Sequence, residues 1–293
     1  MILTYKVHEV APYINWIYFF HAWGFQPKYA GIADIHGCDS CRAIWLTRFP
    51  EEERAKAAEA MQLFKEANRM LNELDGQLEV HTLFRLCRAC SMEDNLLIEN
   101  TLFPLLRQQT PNPDGTPFLC LSDFVRPASL GTDTVGVFAA SVPSHAEKLY
   151  QDDPYKHLLI QTLSDRMAEA ATEKMHQYVR QEVWGYAPDE KLSIPELLLE
   201  KFQGIRPAVG YPSLPDQSVN FIIDQLLDMK QIGITLTENG AMHPHASVSG
   251  LMLAHPASRY FSIGKIGEDQ LTDYAQRRGV PIEKMRKFLT ANL

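Results

Sequence analysis

The spacing of apolar positions predicts two long helices. Residues 51–76, EEERAKAAEAMQLFKEANRMLNELDG, repeat apolar side chains at helical intervals, and Gly76 follows as a stop signal. A second long helix is predicted over residues 152–185. There Asp153 is a suitable N-cap, and Pro154 fits the first helical position.

Shorter apolar runs predict further helices and a set of strands. Helices are expected over 193–204, opened by the capping-box pair Ser193 and Glu196, over 216–233, and twice more at the C-terminal end. Strands or buried apolar runs are expected at 80–86, 94–99, 118–125, 135–142, 234–238, 246–254 and 259–266. A turn is expected at 111–115. Because strands and helices come in clusters, an α+β fold is favoured over alternating βαβ units. No linker composition divides the chain, which predicts a single domain over residues 1–293.

Composition and charge exclude several classes of protein. The 293 residues carry a net charge of −8, so no basic surface for nucleic acid is expected. The most apolar early run, NWIYFFHAWGF, is too short to cross a bilayer. Five cysteines, an odd number, are typical of reduced thiols and predict a cytoplasmic protein.

One proline-rich segment is a candidate ligand site. In GIRPAVGYPSLPDQ, residues 204–217, the prolines exclude a regular helix or a central strand. Arg206 is the residue type that grips a carboxylate, and Gly210 allows close approach to the backbone. By pattern alone, a structural turn whose arginine pairs with a surface acid is the favoured interpretation.

Several strings in this chain occur in the same order in a known family. RPAVGYP, LTENGAMHPHASVSG, LAHPASRYFSIGKI and DQLTDYAQRRG follow one another, and YINWIYFF, LRQQT, LSDFVRP, SDRMAEA, VWGYAP and EKFQGIRP precede or overlap them. Together they resemble the C-terminal reactivation (activation) domain of cobalamin-dependent methionine synthase. The likeness runs from about Tyr13 to Leu293.

The resemblance implies a fold, a ligand and a partner. In that family a curved α+β fold around an antiparallel sheet, with flanking helices, binds S-adenosylmethionine and covers the corrin of an inactivated cobalamin held by another module. Reduction by a flavodoxin-like donor and methyl transfer then restore the cofactor. Matched position by position, the resemblance implies a ligand site of Glu169, Glu200, Arg206, Ala208, Gly210, Tyr211 and Tyr260.

These residue types suit the ligand that the resemblance implies. Arg206 can bind its carboxylate, acidic side chains its ammonium or ribose hydroxyls, and aromatic faces its sulfonium. Backbone groups near Ala208 can bond the adenine. Asn15 stands where the family has an aspartate, so an ammonium contact there loses its charge. Without the family, Glu169 would be assigned to a solvated acidic helix face.

The cysteines suggest a separate metal site. Cys38 and Cys41 form one C-x-x-C pair and Cys87 and Cys90 a second, and together they would make a tetrahedral zinc site if the fold joined them. Incidental or redox-active thiols are the alternative. Cys120 is expected in the core.

Two other features differ from the family or add to it. His243 and His245 lie in a loop that the resemblance places near the corrin, where a histidine would act as an acid or cobalt ligand. Ordinary exposed loop histidines are the favoured interpretation. A flavodoxin-like donor would need a local basic patch, for which the candidates are Arg277, Arg278, Lys284, Arg286 and Lys287, unless they merely form a solvated terminal helix.

The sequence therefore predicts a stand-alone reactivation component that acts on a cobalamin-bearing methionine synthase or related corrinoid protein. Two other classes stay open. A docking or chaperone module would cap the corrinoid protein without S-adenosylmethionine, and Asn15 favours it. A methyltransferase with another substrate is disfavoured because no glycine-rich dinucleotide-type fingerprint is present.

Overall fold

The computed structural model describes residues 1–111, 115 and 117–293. The strands are β1 (Ile2–Lys6), β2 (Glu79–Met92), β3 (Asn95–Ile98), β4 (Thr101–Pro104), β5 (Asp133–Ser141), β6 (Thr235–Leu236), β7 (Met242–His243) and β8 (Ser247–Met252). The α-helices are α1 (Val7–Val10), α2 (Trp16–Ala22), α3 (Asp39–Thr47), α4 (Glu51–Leu74), α5 (Pro154–Tyr178), α6 (Ile194–Leu198), α7 (Asn220–Leu227), α8 (Glu268–Arg278) and α9 (Ile282–Phe288).

The main sheet is antiparallel and is built around the long strand β2. Its order is β4-β3-β2-β5-β8, and β1 also pairs with β2. β1 pairs with the first residues of β2, whereas β3 pairs with its last residues, so the two short strands pair with different segments of β2. β5 pairs along His81–Ala89 of β2 and presents its other edge to β8.

Alternation along the strands gives the sheet two apolar faces. Phe84 and Phe138 point to a core shared with α2, α4 and α5. Neighbouring positions such as Val135 and Val137 point to a second core, which α7 covers. A smaller third cluster joins α8 and α9 to the loop around Ile263. Helices thus cover both faces of the sheet, as the α+β prediction requires.

The structure confirms the two long helices and corrects several shorter elements. Asp153 caps α5 by accepting a hydrogen bond from Lys156 N at 3.1 Å, and Pro154 occupies the first turn. The helix predicted over 193–204 keeps its capping box but ends at Leu198, because Glu200 and Gly204 have left-handed backbone angles of +57° and +90°. Of the turn predicted at 111–115, residues 112–114 lie outside the described residues.

Two predicted strands take other conformations. Residues 259–266 are irregular, since Gly264 has a φ of +69° and Ile263 N donates to Pro212 O instead of a strand ladder. The apolar run at 118–125 begins with the exposed Phe118 and contains a short 3-10 turn, Leu121–Phe124, whose apolar side chains are buried. Cys120 lies in the core as expected.

Candidate functional site

The proline-rich segment lies along the edge of β8 and completes one wall of a cavity. Leu253 and Ile205 exchange backbone hydrogen bonds of 2.9 Å, Leu251 N donates to Pro207 O at 3.0 Å, and Val209 N donates to Ser249 O at 2.9 Å. The segment can approach so closely because β8 carries Gly250, where a Cβ would stand 2.2 Å from Pro207 O. This explains the stiff backbone around Arg206: the segment is held to the sheet as an irregular additional strand.

The cavity measures about 510 Å³ and lies between this segment, α5, and the start of α2. That volume is within the range of small-molecule sites, roughly 300–1,000 Å³. The structure brings seven of the eight predicted ligand residues to its wall, namely Asn15, Glu169, Glu200, Arg206, Ala208, Tyr211 and Tyr260.

Gly210 is the exception among the predicted ligand residues. It does not line the cavity, and a Cβ added there would meet nothing within 4 Å. Its φ is +87°, and its N–H donates to Leu214 O at 2.9 Å. Gly210 therefore supplies a turn conformation, and the close approach of a ligand to its backbone stays a prediction.

Arg206 is held in place from three directions. Its Nη2 donates to Glu173 Oε2 at 2.9 Å, its Nη1 to His176 Nδ1 at 3.2 Å, and its backbone N–H to the Tyr260 hydroxyl at 2.9 Å. Burial acts against the charged guanidinium, yet Glu173 and Tyr260 keep the pKa of Arg206 above its ordinary value. A guanidinium has five N–H donors, and the two side-chain contacts use two of them. Arg206 can therefore still bind an anionic group in the cavity.

A second arginine lies behind the first. Arg180, fully buried in the π-helical turn Val179–Val183, donates to Glu190 at 2.8 and 2.6 Å and to His176 Nδ1 at 2.8 Å. His176 thus accepts from both guanidiniums, so the neutral ring carries its proton on Nε2. Burial and the charges of Arg180 and Arg206 hold the pKa of His176 well below 6.5.

Glu173 was not predicted as a ligand residue, although it lies one helical turn after Glu169 on α5. Its Oε2 pairs with Arg206, whereas Oε1 is buried and has no partner within the part of the chain that the structure describes. A buried carboxylate oxygen without a donor is costly, so this atom is suited to receive a donor from a ligand. The spacing of one helical turn from Glu169 was the sequence signal that could have identified Glu173 as a site residue.

Glu169 and Tyr211 form a separate contact at the cavity mouth. The Tyr211 hydroxyl donates to Glu169 Oε1 at 2.7 Å, and Arg166 Nη1 donates to Oε2 at 2.7 Å. Burial and the adjacent Glu169 raise the pKa of Tyr211, which keeps the hydroxyl protonated as a donor. Tyr211 is 50% exposed, so its ring faces outward while its hydroxyl is fixed.

Asn15 and Glu200 complete the polar wall. The Asn15 side chain caps α2 by accepting from Ile17 N at 3.1 Å, and the residue also lines the cavity. Glu200 sits at a left-handed φ of +57°, a conformation that non-glycine residues adopt at a cost and that often marks a functional position. Burial raises the pKa of the Glu200 carboxyl, while Arg206 opposes that rise.

The four cysteines predicted to share one zinc ion do not come together. Cys87 is buried in the core facing α7, and Cys90, three residues later on the same strand, points to the other face of the sheet. In the part of the chain that the structure describes, the group of side chains close enough to share a metal ion is His36, Cys38 and Cys41. Hydrogen bonds from Cys41 and His36 lower the pKa of the Cys38 thiol to about 7.

The loop histidines and the basic C-terminal segment have ordinary surroundings. His243 is exposed, and His245 makes a 3.4 Å contact with Asp165. Arg277 and Arg278 are largely buried against Asp273 and Asp216, and Arg286 pairs with Glu268. Arg277 also donates to Leu105 O and Arg278 to Ser218 Oγ, so these two guanidiniums hold α8 to the fold, whereas Arg286 joins α9 to α8. Lys284 and Lys287 of the predicted basic patch remain.

Comparisons with known proteins agree with the geometry. A family model described as "Vitamin B12 dependent methionine synthase, activation domain" matches residues 6–279. A crystal structure of the MetH reactivation domain bound to AdoHcy (S-adenosylhomocysteine) is 34% identical, with a TM-score of 0.87 over 100% of this chain and 90% of that one. Within the described residues, no helix is both long and apolar enough to span a bilayer.

Proposed function

The chain belongs to the activation-domain family of vitamin B12-dependent methionine synthase, and we propose that it binds S-adenosylmethionine and serves a cobalamin-bearing methionine synthase, or a related corrinoid protein, as its reactivation component. The observation that carries the proposal is the paired Arg206 and Glu173 in the cavity wall, with Glu173 Oε1 buried and lacking a donor among the described groups.

The polar groups of the cavity fit the amino-acid end of this ligand. S-adenosylmethionine carries a carboxylate and an ammonium on the same carbon atom. Arg206 would hold the carboxylate through its remaining donors, and Glu173 Oε1 would accept from the ammonium. Because these two side chains are already 2.9 Å apart, one ligand carbon can present both charges to them.

The remaining walls suit the rest of the ligand. Tyr13, Tyr18 and Tyr260 offer aromatic faces next to which a sulfonium would be stabilised. Ala208 and Pro207 bring backbone groups to the cavity where an adenine would be bonded. When bound, the ligand would supply an electrophilic methyl group, and the corrinoid of the partner would supply the cobalt that accepts it.

The mouth of the cavity suits an apolar macrocycle. Two large side chains that line it are unusually exposed, Tyr18 by 57% and Tyr211 by 50%. Tyr211 is anchored through its hydroxyl to Glu169, so its ring would meet the corrin as a rigid surface. In this proposal the protein works in the cytoplasm, and a flavodoxin-like donor would supply the electron.

Two measurements test the proposal. Calorimetry with S-adenosylhomocysteine should show one site per chain, and reconstitution should restore an inactivated cobalamin-loaded synthase only when the protein, reductant and S-adenosylmethionine are all present. Binding to the synthase without any nucleoside binding would instead identify a docking module. Absence of both binding events would overturn the proposal.

A further inference from the structure

A cluster of side chains that could bind a metal ion lies outside the ligand cavity. The donor atoms of His36, Cys38 and Cys41 all lie within 4.8 Å of one another. Among the described residues, these three side chains form the one group of three or more His, Cys, Asp or Glu residues close enough to share a metal ion. None of the three lines the cavity that holds Arg206.

The local fold explains why these side chains converge. Cys38 is the N-cap of α3, and its sulfur accepts a hydrogen bond from Cys41 N at 3.3 Å. The first helical turn therefore brings the two sulfurs to the same side, and the extended N-cap backbone turns the chain so that His36 lies beside them.

We propose that His36, Cys38 and Cys41 bind a thiophilic divalent metal ion of the zinc type. Two sulfurs at 2.3 Å from a tetrahedral zinc lie about 3.8 Å apart. The observed spread of at most 4.8 Å is thus about 1 Å from a bound geometry. Cys38 is exposed and Cys41 half-buried, so rotation of these side chains can close that gap without moving the core.

The three ligands leave one tetrahedral position open. His36 and Cys41 also line a neighbouring cavity of about 550 Å³, together with Lys28, Asp34 and Arg48. A fourth ligand that enters from this cavity, such as water or a small anion, would complete the coordination. Three protein ligands with one exchangeable position are typical of zinc sites that bind a further ligand, whereas structural sites are closed by four protein ligands.

Cobalt substitution provides the test, because Co²⁺ bound by thiolates gives intense sulfur-to-metal absorption. The reduced, metal-free full chain is titrated with Co²⁺ and then with Zn²⁺. We expect one Co²⁺ per chain, displaced by Zn²⁺. Cys38→Ser and Cys41→Ser should each lower the thiolate absorption, because one of the two Co–S bonds is lost in each. His36→Ala should weaken affinity about tenfold or more, since even outer-shell partners are worth 10–100-fold.

Cys90→Ser is the matched control, as Cys90 belongs to the other C-x-x-C pair and should leave the titration unchanged. Binding of S-adenosylhomocysteine by the same variants separates this proposal from the proposed function, and circular dichroism verifies their folding. The proposal is overturned if metal uptake is absent, if Cys38→Ser does not affect it, or if His36→Ala binds like wild type. A Cys38–Cys41 disulfide in protein that takes up no metal after reduction would also overturn it.

Discussion

Arg206 Nη2 lies 2.9 Å from Glu173 Oε2, and both side chains are largely buried at the cavity wall, 15% and 10% exposed. Each partner keeps capacity for a further bond: Arg206 has donors beyond its two side-chain contacts, and Glu173 has the unpartnered Oε1 within the described structure. The pair is therefore complementary to a zwitterion, which brings an anion to the arginine and a cation to the carboxylate.

Replacement of Arg206 should weaken the amino-acid end of ligand binding. We expect Arg206→Ala to weaken binding of S-adenosylhomocysteine by roughly 1.5–3 kcal/mol, the range for a hydrogen bond to a charged group. 5′-Methylthioadenosine, which lacks the amino-acid end, should bind wild type and variant alike. Calorimetry with both ligands measures the difference. Arg85→Ala, a half-exposed arginine on β2, is the control, and an equal affinity of Arg206→Ala for S-adenosylhomocysteine would contradict the assignment.

Removal of the charge of Glu173 should act on the ammonium contact. Glu173→Gln keeps the shape of the side chain but replaces an ionised acceptor, so we expect S-adenosylhomocysteine to bind roughly 1.5–3 kcal/mol more weakly. The affinity for 5′-methylthioadenosine should not change. Glu182→Gln, at an exposed position beyond α5, serves as the control. If both ligands lose affinity equally, Glu173 acts only by supporting the site.

An acidic side chain at position 15, where the family has an aspartate, should strengthen the contact with the ligand ammonium. Asp caps helices as well as Asn does, so Asn15→Asp should retain the hydrogen bond from Ile17 N. A charged acceptor in place of a neutral one is worth about 1 kcal/mol, or roughly fivefold in affinity. Unchanged calorimetric affinity in a variant with wild-type thermal stability would show that the ammonium is held by other residues.

The buried His176 should make stability depend on pH. In the unfolded chain a histidine takes up a proton as the pH falls through about 6.5, whereas His176 stays neutral in the fold because its pKa is lower. The unfolded state then binds more protons, so stability present above pH 6.5 is lost below it, by at most about 1.4 kcal/mol per pH unit. Chemical denaturation of His176→Gln, which retains an acceptor for the arginines, should give a shallower slope below pH 6.5. Parallel curves for the two proteins would refute this.

A side chain at position 250 should separate the ligand segment from the sheet. Gly250→Ala would place a Cβ 2.2 Å from Pro207 O and 2.9 Å from the Ala208 Cα, so backbone must shift. Overpacking of this kind costs about 1–3 kcal/mol, and we expect ligand affinity to fall with it. Gly31→Ala, whose Cβ would meet Trp45 Nε1 at 3.8 Å, is the control for an added methyl group. Melting temperature and calorimetry report the two effects.

The sequence predicted elements wherever local signals were strong. The periodicity of residues 51–74 and the cap at Asp153 were sufficient for α4 and α5, because these features act within a few residues. Residues 259–266 looked like a strand because of their apolar side chains, but Ile263 and Ile266 are buried by packing against α8 and α9, which local pattern does not report.

In the candidate site too, residues within local motifs were predicted, and residues that act through distant contacts were not. The family motifs identified Arg206, Tyr211 and Tyr260, and the cavity contains all three. Glu173 and His176 were missed because they act through contacts across 33 and 30 positions of sequence, in a helix whose polar residues also fit a solvated face. The predicted four-cysteine site was wrong because Cys87 and Cys90 point to opposite faces of β2, while Cys38 and Cys41 lie beside His36 instead, and C-x-x-C spacing alone does not reveal either arrangement.

The segment from Ile205 to Val209 lies against the open edge of β8 as well as at the ligand cavity. An uncovered edge strand is a template on which another chain can add, and proteins protect such edges with irregular or proline-containing cover. In this fold Pro207 belongs to that cover, and it has no N–H to continue the ladder outward. Damage to the ligand segment is thus expected to cost solubility as well as binding, because the same few residues keep molecules from joining edge to edge.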